Sequence, residues 1–197
     1  MMNDMALSAW DTIRQPRMMA RRIMAMNLPL NSAATALLLT AILGALLSAT
    51  TWALLGTAED NASAMADVFD RPFLLAGIQV LVQAAAAWLA WAVGRFFGGT
   101  GNLAQACALM AWVEWVLVLV QVAQVLLLLA LPPLAEATSP LALILFFWLM
   151  ASFIAELHGF PTLWKVLLGI ILTAAALGVV VVFILAALVG AGGLANV

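Results

Sequence analysis

Only 8% of the 197 residues are charged, and the chain has one cysteine, one histidine and no tyrosine. A soluble domain carries about 25% charge, so there is too little polar surface here to face water all round. Cys107 has no cysteine with which to form an intramolecular disulfide, and with His158 as the sole histidine no multi-histidine or cysteine-cluster metal site can be assembled. Seven basic residues and a formal charge of −2 argue against nucleic-acid binding. What the chain does contain is apolar: 67% hydrophobic residues and a mean hydropathy of +1.18. At roughly 20 apolar residues per span, about five membrane crossings take up most of the length, and no large soluble catalytic domain fits in the remainder. The fold class expected is an all-α membrane protein, a five-transmembrane-helix bundle with a short N-terminal interfacial amphipathic helix.

Five apolar runs separate at about 31–55, 72–93, 103–131, 140–157 and 162–189. They are continuous rather than alternating, which implies helices and not barrel strands. Gly94, Gly98, Gly99 and Gly101 break the chain between the second and third runs, and Pro132-Pro133 ends the third. Arg14, Arg17, Arg21 and Arg22 precede the first span, Arg95 follows the second and Lys165 opens the fifth, so six basic residues share one side. Arg71 alone falls on the other, with Glu59, Asp60, Asp67 and Asp70. The positive-inside rule then places the N-terminus in the cytoplasm and the short tail 190–197 on the outside.

Residues 1–30 do not read as a signal peptide, because Asp4, Asp11 and four arginines interrupt them. They read as a cytoplasmic segment of two short helices hinged at Pro16, a residue suited to a first helical position. Met19, Ile23 and Met26 follow helical spacing. The segment is expected to lie in the interface, with Arg14, Arg17, Arg21 and Arg22 reaching to anionic headgroups as an anchor.

Little resembles a catalytic site. Gly98-Gly99-Thr100-Gly101 lacks the Lys-Ser/Thr pair of a phosphate loop, and no serine sits in a nucleophile motif, so no enzyme activity and no cofactor are expected. Glu114 lies about 16 Å into the third span at 1.5 Å per residue, where a carboxylate costs at least ~2.5 kcal/mol and by default marks a functional hypothesis. Gln83 is about as deep in the second span, with Gln79 one turn away. The short intervening loop makes these spans antiparallel neighbours, so Glu114 is expected to face Gln79 and Gln83. Gln121 and Gln124 continue the stripe into a candidate intramembrane polar seam. Either the seam is helix glue, with a protonated Glu114 bonded to an amide, or it lines a path in a small transporter or channel component. Broken helices, repeats and several midplane charges, the usual marks of a transporter, are missing, which favours glue.

At the cytoplasmic edge, Glu156 and His158 are expected to form an ion-pair cluster with Lys165 or Arg95. Ser32, Ala36, Thr40, Gly44 and Ser48 recur every fourth residue along the first span, a small-residue stripe along which helices can approach closely.

Three segments carry a family resemblance: Asp11-Thr-Ile-Arg-Gln-Pro16-Arg17; the turn Gly98-Gly99-Thr100-Gly101-Asn102 with the apolar run Leu103–Trp115; and Trp148 to Phe160, ending Glu156-Leu-His158-Gly159-Phe160 before Lys165. With a short N-terminal segment, five closely spaced spans and a short tail, the chain resembles the Yip family of Ypt/Rab-interacting membrane proteins, in its bacterial branch. The resemblance implies a non-enzymatic protein that organises or scaffolds membrane or a membrane complex. Its partners would be the lipid bilayer and another membrane protein or a second copy. The long N-terminal domain and the tyrosines of eukaryotic members are missing, so a GTPase partner does not carry over.

Overall fold

The computed structural model describes residues 2–55 and 66–194; Glu59, Asp60 and the tail residues 195–197 lie outside them. Among the described residues the regular elements are helices: α1 Met2–Arg14, α2 Pro16–Ala25, α3 Leu30–Leu55, α4 Ala66–Phe69, α5 Pro72–Phe96, α6 Leu103–Ala130, α7 Pro132–His158 and α8 Leu163–Leu194. Five of them contain stretches long and apolar enough to cross a membrane: Leu30–Ala53, Pro72–Phe96, Leu103–Ala130, Pro140–His158 and Leu163–Val180.

Local chemistry sets the helix ends. Pro16 opens α2 at its first position. A capping box opens α6, with Asn102 Oδ1 accepting from the Gln105 amide at 2.9 Å while Gln105 Oε1 accepts from the Asn102 amide at 3.3 Å. Gly159, at φ +73°, closes α7 in the left-handed conformation that a side chain would resist. The fourth span starts at Pro140 as expected, but the helix that carries it begins earlier, at Pro132, and continues through Pro140. The Pro132-Pro133 pair supplies the helix start as well as the break, since proline fits a first turn.

The chain divides into two units, Met1–Pro161 and Thr162–Val197. In the first, α6 is the central helix and packs on α3, α5, α7 and α2. Leu109, Met110 and Val116 of α6 and Leu149 and Phe153 of α7 are fully buried there. The packing stripe of α3 is Ala33, Leu37, Ala41 and Ala45. This corrects the expected register by one residue over its first half: Ser32 is exposed and Ala36 and Thr40 are half-buried. Thr40 instead bonds its own helix, its hydroxyl donating to the Ala36 carbonyl at 3.0 Å. Only Gly44, buried, and Ser48, half-buried, serve the contact from the expected stripe. The second unit consists of α8, which runs to Leu194, past the expected end near 189.

Candidate functional site: a buried polar knot and a clamped helix end

Gln79 and Gln83 stand one turn apart on α5 and therefore on one face. Gln79 Nε2 donates to Glu114 Oε1 at 3.1 Å, and Gln83 Nε2 donates to Glu114 Oε2. Both carboxyl oxygens are thus engaged, and Glu114 keeps only 7% of its surface exposed. The third wall is Gly44 of α3, where a Cβ would lie 2.6 Å from Glu114 Oε1. Glycine at 44 is what lets the carboxyl fit between α3 and α5.

The other seam residues do not join this cluster. Gln121 Nε2 donates to Ser48 Oγ on α3 at 3.0 Å, and Gln124 Nε2 donates to Thr138 Oγ1 on α7 at 3.1 Å. The geometry of α6 explains the split. At 3.6 residues per turn, Gln121 sits about 20° from Glu114 around the helix and Gln124 about 80°. Gln121 therefore meets the same α3 face as Glu114, through Ser48 one turn beyond Gly44, while Gln124 turns toward α7. What reads in sequence as one seam is three separate interhelical ties.

At the other polar locus, α1 and α2 dock onto the ends of α6 and α7. Arg21 forks onto Glu156, Nε to Oε1 at 2.6 Å and Nη2 to Oε2 at 3.4 Å. The hydrogen bond and charge of Glu156 push the Arg21 guanidinium further up from its ordinary range. Arg17 Nη2 donates to the Phe160 carbonyl at 3.3 Å and the Pro161 carbonyl at 3.4 Å, just past the Gly159 cap. Trp112 Nε1 donates to the buried Thr12 Oγ1 at 2.9 Å, tying α1 to α6. The apolar face of α2, Met19, Ala20 and Ile23, is buried, in a helix that packs on α6 and α7.

Two expectations meet other partners here. Arg17 and Arg21 bond within the protein, to the Phe160 and Pro161 carbonyls and to Glu156, while Met19, Ala20 and Ile23 of α2 are buried. Arg14 lies over the Trp10 ring, 5.5 Å from its centroid, and Arg22 remains exposed. Secondly, Glu156 pairs with Arg21 rather than with Arg95 or Lys165; Arg95 is exposed, and Lys165 belongs to α8. Reversing the charge of Arg21 alone (Arg21→Glu) is expected to loosen the docked hairpin and speed trypsin cleavage at Arg14, Arg17 and Arg22. Arg21→Glu with Glu156→Arg should restore the wild-type cleavage rate.

His158 stands apart from the ion pair. It is 3% exposed, and its Nε2 lies 3.0 Å from the Ala90 carbonyl; a carbonyl only accepts, so Nε2 carries a proton. The ring occupies a slot between two glycines. A Cβ at Gly94 would lie 2.1 Å from Nε2, and one at Gly99 2.2 Å from Nδ1. Gly101 similarly yields to Leu157, whose Cγ would lie 2.5 Å from its Cβ. The glycine-rich turn therefore does more than reverse the chain: Gly98 needs its φ of +86°, but Gly94, Gly99 and Gly101 make room for the end of α7. The sequence signal for this is a bulky residue, His158, ending one helix and glycines at the end of another. Ser152 is fully buried with its hydroxyl unpartnered, and nothing links it to Glu156 or His158.

The family model described as the Yip1 domain matches residues 10–185. The chain belongs to the Yip1-domain family. The match starts within α1 and ends within α8, so the end of α1, all of α2, the Glu114 knot and the His158 slot lie inside the Yip1 domain. The family is one of non-enzymatic membrane proteins, and the five apolar helices make this member a multi-pass membrane protein. No curated protein and no solved structure matches the chain.

Proposed function

We propose that the protein organises membrane or a membrane-protein complex without catalysis, sitting in a bacterial inner membrane with its N-terminus in the cytoplasm. One observation carries the reading. Each polar side chain of the intramembrane seam is taken up in a tie between two helices: Gln79 and Gln83 with Glu114, Gln121 with Ser48, Gln124 with Thr138. Such ties contribute about 0.6–2 kcal/mol each to helix association, and a side chain engaged in one is not lining a route for a solute. Orientation rests on the basic residues clustered before the first span and after the second.

The test is purification in mild detergent and in lipid nanodiscs, followed by native mass spectrometry. A stoichiometric membrane-protein partner or a second copy is expected. A monomer in both media, at every concentration tried, would count against the proposal.

A further inference from the structure

Where α1 meets α2, a hollow of about 150 Å³ is lined by Asp11, Gln15, Met18, Met19 and Arg22. The hinge is fixed by the backbone: the Gln15 amide donates to the Asp11 carbonyl at 2.8 Å and the Met19 amide to the Gln15 carbonyl at 3.1 Å. Asp11 and Arg22 therefore face one space from two helices. They do not pair with each other, and among the described residues neither makes an ion pair or a side-chain hydrogen bond. Their neighbours differ: Arg17 and Arg21 are committed to α7 and the residues after it. One anion and one cation are thus left open in a single hollow, flanked by two methionines.

The surroundings suit the level of the headgroups. Trp10, beside Asp11, is 56% exposed and carries Arg14 over its ring, and exposed tryptophans collect where membrane meets water. Met18 and Met26 add exposed apolar surface beside it. The helix α6, against which the hairpin docks, is about 42 Å long at 1.5 Å per residue. That exceeds a hydrocarbon core of about 30 Å, so its ends reach the headgroup layer.

We propose that this hollow binds the zwitterionic headgroup of a phosphatidylethanolamine-type lipid, with its phosphate on Arg22 and its ammonium on Asp11. A guanidinium matches phosphate oxygens in a planar fork, and a carboxylate accepts from an ammonium N–H. Gln15 offers an amide to the phosphate ester, and the thioethers of Met18 and Met19 meet the glycerol. The hollow is open on one side, so the headgroup can enter it while the acyl chains stay outside. A phosphatidylglycerol headgroup would leave Asp11 facing a phosphate with no cation between them. A phosphatidylcholine headgroup has no N–H to donate to Asp11. This inference goes beyond the membrane-organising role and does not depend on it.

The experiment is native mass spectrometry of the delipidated full chain in detergent. The probe is an equimolar mixture of phosphatidylethanolamine, phosphatidylcholine and phosphatidylglycerol with distinguishable acyl chains. Phosphatidylethanolamine adducts are expected to exceed each of the others by about tenfold, the scale of one charged hydrogen bond. Asp11→Asn should erase the preference over phosphatidylglycerol, and Arg22→Gln should remove retention of all three. The exchanged pair Asp11→Arg with Arg22→Asp should recover the preference, which separates loss of the site from loss of fold. Equal adducts of the three lipids in the wild type, or a preference untouched by both single variants, would overturn the proposal. So would retention of soluble phosphoethanolamine in the absence of lipid adducts, which would assign the hollow to a free zwitterion.

Discussion

Gly94→Ala is expected to destabilise the protein by roughly 1–3 kcal/mol, the scale of forcing extra atoms into a packed site, and His158→Ala in the same chain should recover most of that loss. The added Cβ would meet the far edge of the ring, Nε2, Cδ2 and Cε1, at 2.1–2.6 Å, so removing the ring removes the conflict. Gly99→Ala should behave differently. There the added Cβ meets the root of the ring, including His158 Cγ at 2.4 Å and Cβ at 2.5 Å. His158→Ala keeps that Cβ, so rescue of Gly99→Ala should be weak. Thermal denaturation of the two single glycine variants and their double variants in one detergent reads this ordering directly. Equal rescue at both positions would mean that the ring, and not the close approach of α7 to the turn, accounts for the glycines.

At the polar knot, Glu114→Ala should cost about 1–3 kcal/mol, because it leaves the Gln79 and Gln83 amides without their acceptor at a depth where water cannot replace it. Glu114→Gln, which retains an acceptor oxygen, should cost less. Gly44→Ala tests the same site from α3. Its Cβ would press on Glu114 Oε1 at 2.6 Å, while the next side chain, Val118 Cγ2, stands at an ordinary 3.6 Å. Gly44→Ala should therefore be harmful in the wild type and nearly neutral beside Glu114→Ala. A double-mutant cycle on melting temperature measures that coupling. Additive effects would show that Gly44 serves general helix packing and not the carboxyl.

Much of the fold is legible in the sequence because a span announces itself by length and composition alone, and the charges between spans add order. The meeting of Glu114 with Gln79 and Gln83 is legible too, since a short loop makes α5 and α6 antiparallel and the depths coincide. Other features depend on information that apolar patterning does not hold. Met19 and Ile23 have the same spacing whether their face meets lipid or protein, because both are apolar; the structure buries them in protein and so redirects Arg17 and Arg21. The α3 stripe slips by one residue for a related reason, since alanines and leucine pack there as well as serine and threonine do. The His158 slot could not be read from the glycines alone, because a close approach requires knowing which element approaches. Gln124 parts from Glu114 through an angle that a linear stripe conceals until the positions of three neighbouring helices are known.

The most direct test of the membrane-organising role is flux through proteoliposomes containing either the wild type or Glu114→Gln, with matched protein incorporation and melting temperature. Proton and small-solute flux in both is expected to equal that of protein-free liposomes, because the carboxyl is a tie between α5 and α6. A flux carried by the wild type and lost in Glu114→Gln would contradict that role and make the knot a conducting site.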